Sequence, residues 1–181
     1  SLRPSNWDIF LFEDIEGEPE RLTVHPNNDY SPEISPDGNW VVFVSDRDGN
    51  ANLYALNLKT KKEPIALTEH PAMDDAPTFS PDGQQLAFVS ARGGNPDIYV
   101  MNFKPGDLSA EEQAVNVTNH PYGDFNPDFS NDGSRIAFSS NRAVFRDWNP
   151  LRSFLTKRRR CSLLPFDRVT GTFFCSKISR A

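Results

Sequence analysis

Apolar residues occur along this chain in short runs, separated by polar breaks rich in glycine and proline. Residues 41–44, 86–89 and 136–138 are apolar at every position, which is typical of strands buried on both faces. A second apolar run follows the first two of these after a break, at 53–56 and 98–101. Nothing shows a sustained period of 3.6 residues. The pattern therefore predicts an all-β chain made of short strands.

The break before each first run has the same residues three times. Ser35-Pro36-Asp37-Gly38 recurs as Ser80-Pro81-Asp82-Gly83 and as Ser130-Asn131-Asp132-Gly133. Proline presets φ at the second position of a type I turn, serine can accept hydrogen bonds from the turn backbone, and glycine closes the turn. We interpret these residues as structural turns between two strands.

Other residues recur at fixed distances from each turn. An aspartate, a proline, a phenylalanine and a second serine keep the same offsets in all three copies, and a His-Pro pair precedes them. These are Asp29, Asp74 and Asp124; Pro32, Pro77 and Pro127; Phe43, Phe88 and Phe138; Ser45, Ser90 and Ser140; and His25, His70 and His120. A repeat of 45–50 residues with four short strands is the signature of a β-propeller blade, which is apolar on both faces and must stack on its neighbours.

The best copy of the repeat runs from Asp74 to Asn102, and it resembles the TolB-type propeller repeat over roughly residues 6–142. The resemblance implies a β-propeller that binds a protein, peptidoglycan-associated or glycan partner, in the periplasm or outside a bacterial cell. Propellers of prolyl-oligopeptidase-like and tricorn-like peptidases, and of some glycan lyases, contain the same repeat.

The repeat divides residues 1–142 into about three blades. A half blade at 6–24 precedes whole blades at 30–68 and 74–118, and a second half blade covers 124–140. Because closed propellers have about four blades or more, we expect an incomplete ring that is a fragment or that associates with copies of itself through exposed edge strands.

Charge marks a boundary after Arg142. Residues 1–142 carry 10 Lys and Arg against 23 Asp and Glu, whereas residues 143–181 carry 9 against 2. We therefore expect 143–181 to be a basic tail, poorly ordered or outside the repeat pattern. The acidic body argues against nucleic-acid binding by the propeller. The chain has no apolar run long enough to cross a membrane, and no signal peptide is recognisable at its start.

The chain carries no familiar catalytic motif, and we expect no catalytic residue, no metal and no cofactor. The candidates for partner binding are therefore repeated polar residues. His25, His70 and His120 are potential metal ligands, but a His-Pro pair at a strand exit is more typical of loop structure. Asp29, Asp74 and Asp124 can bond to backbone N–H groups shortly after them, or can ring the mouth of a propeller channel.

Three functions remain open from the sequence. The chain can be a non-catalytic binding propeller, as the resemblance implies. It can be the gating propeller of a longer peptidase, with the hydrolase downstream. It can also be a metal-dependent glycan lyase, in which case one or more histidines would face the channel. We favour the binding propeller because propellers are most often platforms and because the fold alone does not set the function.

Overall fold

The computed structural model describes residues 6–142 and the backbone of residues 160–165. Within these residues the chain forms short strands and a single helical turn. In chain order they are β1 (Phe10–Leu11), β2 (Glu20–Arg21), β3 (Asp29–Ile34), β4 (Trp40–Ser45), β5 (Asn52–Asn57), β6 (Ile65–Ala66), β7 (Asp74–Phe79), β8 (Gln85–Ser90), β9 (Asp97–Asn102), α1 (Ser109–Glu112), β10 (Val115–Asn116), β11 (Asp124–Phe129), β12 (Arg135–Ser140) and β13 (Arg160–Pro165).

The strands form four antiparallel sheets in which sequence neighbours pair. The two whole blades are the sheets β3-β4-β5-β6 and β7-β8-β9-β10; β1 pairs with β2, and β11-β12-β13 form a three-stranded sheet. The first strands of successive sheets are neighbours, since β3 contacts β7 and β7 contacts β11. The expected all-β fold of open propeller blades is confirmed.

The hydrophobic core lies between the sheets rather than inside one of them. One cluster joins the two whole blades and contains Val44, Leu53 and Phe88. Similar clusters join β1-β2 to the first whole blade and β11-β12 to the second. Both faces of a middle blade are thereby covered, which explains why β4 and β8 are apolar at nearly every position.

The long spacing between the second and third turns has a structural cause. The loop between β9 and β10 contains α1, which has no counterpart in the preceding blade. Ala110 of this turn is buried, and Glu111 accepts hydrogen bonds from the backbone N–H groups of Glu69 and His70, at 2.8 and 3.2 Å. The insertion thus ties the second whole blade to the first.

The strand β13 lies in the sequence region expected to fall outside the repeat. It pairs with β12 so that Ser140 faces Arg160 and Arg135 faces Pro165. In the whole blades the third strand has the same register, with Ser45 facing Asn52 and Ser90 facing Asp97. The backbone of 160–165 therefore takes the third place in the last sheet, and the rest of 143–181 lies outside the described residues.

Candidate functional site

Each repeated aspartate forms an ion pair with an arginine 18 residues later. We call these pairs the latches: Asp29–Arg47, Asp74–Arg92 and Asp124–Arg142. The nitrogen–oxygen distance is 3.1 Å in the first latch and 2.9 Å in the second. All three carboxylates are fully buried, so the latches belong to the interior of the sheets rather than to a surface.

Aromatic rings and a serine complete the latches of the whole blades. The Arg47 guanidinium lies over Phe43 and Tyr54, and its Nε donates to the Ser45 hydroxyl at 2.9 Å. Arg92 repeats this arrangement over Phe88 and Tyr99. The guanidinium thus joins the first strand of a blade to its second and third strands, which stabilises the blade through charge, hydrogen bonding and cation–π contact.

Among the described residues, the arginine of the second latch makes one more ion pair than the arginines of the other two. Arg92 also pairs with Glu111 of α1 at 3.1 Å, so one guanidinium serves two carboxylates. Burial raises the pKa of Asp74, and hydrogen bonding from Ser90 and the charge of Arg92 oppose that rise without cancelling it. A charged Asp74 therefore depends on Arg92 more than an exposed aspartate would.

The three repeated aspartates were expected either to cap nearby backbone or to face the mouth of a channel. Each carboxylate accepts a hydrogen bond from its latch arginine, and Asp74 is also hydrogen-bonded to Ser90 and Thr68. The aspartate side chains have no solvent exposure. A partner could reach such a carboxylate only if the sheet opened. The placement favours a structural role for these residues.

The three candidate histidines hold loops between consecutive sheets. In each, Nδ1 accepts a hydrogen bond from the backbone N–H two residues later, as Ala72 donates to His70 at 3.0 Å. The backbone oxygen of each histidine accepts a hydrogen bond from an asparagine side chain; for example, Asn50 Nδ2 donates to the His70 oxygen at 2.9 Å. The three rings occupy equivalent loops of different sheets and are half-buried. The structure does not bring them together.

The serine–aspartate turns close as the residue types suggest. In the first turn the Gly38 N–H donates to the Ser35 oxygen at 2.8 Å, and the Ser35 hydroxyl donates to Asp37 at 2.5 Å. Hydrogen bonds from the Ser35 hydroxyl, which is the main cause, and from Asn39 lower the pKa of Asp37 to about 2. Gly38, Gly83 and Gly133 have φ values of 67°, 69° and 66°, a region that disfavours residues with a Cβ. The other turns repeat the serine–aspartate bond.

The first strands of three sheets each carry a bulge with unusual backbone. The pairing with the second strand shifts within each, and the residue before the repeated proline has a positive φ: 51° at Ser31, 49° at Ala76 and 51° at Asn126. Non-glycine residues rarely adopt this conformation, and it often occurs where structure positions functional groups. Each bulge is flanked by two side chains of its own strand, one on either side.

Those flanking side chains form what we call the inner-strand face: Tyr30, Glu33, Asp75, Thr78, Phe125 and Asp128. None of them is fully buried. Glu33 bonds to the backbone of Phe79 and to the Thr78 side chain. Burial and the charge of Asp128 raise the pKa of Glu33, and burial together with the charge of Asp75 raises that of Tyr30. The face is therefore acidic, with one carboxylate on each of three neighbouring first strands.

In the part of the chain that the structure describes, no group of three or more His, Cys, Asp and Glu residues is placed to hold a metal ion. Among the same residues, none of the helical structure is long and apolar enough to cross a membrane.

Comparison with known proteins identifies the fold family. The family model of the TolB beta propeller domain matches residues 52–144, just over half of the chain. The chain belongs to the TolB beta-propeller family. A search of curated proteins finds no match.

Solved TolB propellers have the same fold. A protein described as TolB from Agrobacterium tumefaciens is 24% identical, with a TM-score of 0.66 over 92% of this chain and 55% of that one. TolB from Acinetobacter baumannii is also 24% identical, with a TM-score of 0.64 over 92% and 36%. An oligogalacturonate lyase from Vibrio parahaemolyticus reaches 0.58 at 21% identity, over 93% and 46%. The chain spans about half or less of these proteins, and the likeness shows the fold alone.

Two features of this TolB-family propeller were not predicted from the sequence. The latch arginines follow each turn serine by twelve residues, so the repeat offsets already contained their signal. The inner-strand face gives no such signal, because Glu33, Thr78 and Asp128 occupy equivalent positions with different residues. Only the alignment of blades on the structure shows that these differing residues are neighbours.

Proposed function

We propose that this chain is a non-catalytic binding module, a TolB-like propeller that presents the inner-strand face to a protein partner. A bacterial envelope location, periplasmic or secreted, is part of the same proposal and is supported by membership of the TolB family. The observation that carries the proposal is the contrast between the latches and the inner-strand face. The latch aspartates recur in three sheets and are buried. The residues of the inner-strand face differ from strand to strand, and none of them is fully buried.

This contrast has a physical meaning. Residues that build a blade must recur because each blade has the same packing to complete. Residues that are accessible and differ between equivalent positions are free to match one particular ligand, and binding sites favour such positions on a rigid scaffold. The carboxylates of Glu33, Asp75 and Asp128 favour a partner segment that contains Lys or Arg.

A phage-displayed library of random peptides tests the proposal with a defined probe. Peptides selected on the 181-residue chain should be rich in Lys and Arg. They should bind the triple variant Glu33→Gln, Asp75→Asn, Asp128→Asn at least about tenfold more weakly, because the attraction is lost.

The matched control changes three exposed carboxylates outside the inner-strand face, through Glu18→Gln, Glu63→Gln and Glu112→Gln. It alters net charge by the same amount and should leave peptide affinity within about twofold. Equal binding by the two triple variants would show that the peptides respond to overall charge and would refute the proposed site. A cooperative urea transition for both variants confirms that each is folded.

A further inference from the structure

The two incomplete sheets contain complementary halves of one blade. In the whole blades a threonine hydroxyl after the fourth strand accepts the N–H of the third, from Leu53 to Thr68 and from Ile98 to Thr118, at 3.0 Å each. Ile9 donates to Thr23 in the same way at 3.0 Å, so β1 and β2 are third and fourth strands. By register and turn, β11 and β12 are first and second strands.

The half blade β1-β2 exposes side chains that whole blades bury. Phe10 occupies the position of Tyr54 and Tyr99, and Phe12 occupies that of Leu56 and Met101. The four residues of the whole blades are 2–7% exposed, whereas Phe10 is 54% and Phe12 is 53% exposed. Among the described residues β1 pairs with β2 alone, so its other edge offers backbone groups for pairing beside these rings. Within that part of the chain no second pair of strands covers the aromatic face of the half blade.

The half blade β11-β12 lacks the other part of the same arrangement. Arg47 and Arg92 each lie over two rings, but Arg142 lies over Phe138, with no second ring recorded among the described residues. The Arg142 side chain is 28% exposed, about twice the value of the other two, and its Nε has no hydrogen-bond partner within the described structure. The missing ring is the one that Phe10 would supply.

We propose that two copies of this chain associate head to tail, with β1 of each pairing with β12 of the other. The register of the whole blades then sets Phe10 opposite Phe138 of the second copy, beneath its Arg142. It also sets Glu13 opposite Arg135, two exposed residues of opposite charge. Two copies of about three blades each close a ring of six blades, which lies within the range of closed propellers.

In a single copy, β13 occupies the edge of β12 to which β1 of the second copy would pair. In its register Ser162 faces Phe138, where the whole blades place a tyrosine, and the described sheet has no fourth strand beyond it. Serine has no aromatic ring. The β1-β2 pair brings an aromatic ring, a fourth strand and a charge partner, so the second copy replaces 160–165 at the edge of β12.

Sedimentation velocity of the 181-residue chain over a range of concentrations tests this association. The expected species has twice the 20.4 kDa mass of one chain and dissociates on dilution. Glu13→Arg alone and Arg135→Glu alone should each weaken association about tenfold or more, and the two together should restore it, because both joints of a twofold ring regain opposite charges.

A second pair of substitutions tests whether association depends on the β1–β12 contact or on any exposed apolar side chain. Phe10→Asp should weaken the dimer about tenfold or more, whereas Ile15→Asp, at a residue that is 92% exposed in the β1-β2 turn, should leave it unchanged. With Cys161→Ser and Cys175→Ser in the background, Glu13→Cys plus Arg135→Cys should oxidise to a covalent dimer. A monomer at every concentration, a crosslink within one chain, or assemblies larger than two copies would each overturn the proposal.

Discussion

The second latch gives the sharpest test of what stabilises the whole blades. Replacing Arg92 by Met keeps much of the aliphatic stem but removes the positive charge that pairs with Asp74 and Glu111. The carboxylate of Asp74 is fully buried. Breaking a buried pair while one charge stays behind costs about 3–5 kcal/mol. A domain has only about 5–15 kcal/mol of stability in total, so the loss should be plain.

Urea denaturation followed by tryptophan fluorescence and by circular dichroism measures this loss. With a denaturant slope of about 2 kcal/mol per M, the midpoint of Arg92→Met should fall by about 2 M. Lys62→Met removes an exposed cation and serves as the control, with an expected change within about 0.5 kcal/mol. A loss for Arg92→Met no larger than that of the control would refute the reasoning.

Two further measurements identify the buried charge as the cause. Asp74→Asn should partly rescue Arg92→Met, because it removes the carboxylate that the arginine had neutralised. The pKa of Asp74 is already raised by burial, and the loss of Arg92 raises it further. Folding then binds a proton, so the contribution of Asp74 is favourable at low pH and is lost as pH rises through its raised pKa. The gap between Arg92→Met and the native chain should therefore narrow toward about pH 4.

Three other predictions follow from the core and the turns. Phe88→Ala should cost about 3–5 kcal/mol in thermal unfolding, since Phe88 is fully buried between the whole blades; an unchanged melting temperature would contradict that packing. Gly83→Val should cost about 1–3 kcal/mol because Gly83 has a φ of 69°, whereas Gln84→Val beside it should be nearly neutral; equal urea midpoints would argue against the strained turn. Because the pKa of Asp37 is lowered to about 2, ionised Asp37 stabilises the fold at pH values above its ordinary pKa, and this stabilisation is lost as the pH falls toward 2. The variant Asp37→Asn should therefore show a weaker dependence of unfolding free energy on pH over that interval. An unchanged pH profile would contradict the turn hydrogen bonds.

The periodic part of this protein could be predicted from the sequence. The apolar runs at 41–44 and 86–89 became β4 and β8, and the turn residues lie between the first two strands of each sheet. The five repeated rings of the second and third strands are buried, as expected: Phe43, Phe88, Phe138, Tyr54 and Tyr99. Local chemistry explains this success, because turn geometry and apolar periodicity act within a few residues of the chain.

The candidate site was harder to predict because it depends on distant residues. From the sequence, the repeated aspartates could either cap nearby backbone or form an accessible ring of carboxylates. In the structure Arg47 and Arg92, which follow the second strands of the whole blades, pair with Asp29 and Asp74, and both carboxylates are buried. The arginine that pairs with each aspartate could have been found from the sequence, because it always follows that aspartate by 18 residues. The inner-strand face could not, since its members have no common residue type and adjoin only after three blades have stacked.

The amino-acid sequence by itself determined the blade: its strands, its turns, and the residues that every copy must repeat. Each of these features depends on contacts within one unit of about 45 residues, so the residues that produce it recur in every repeat. The tertiary structure decided which polar residues are accessible and which edges are left open. Phe10 and Tyr54 stand at equivalent positions, yet one is exposed and the other buried, because only stacking and strand pairing with the rest of the propeller determine what covers each ring.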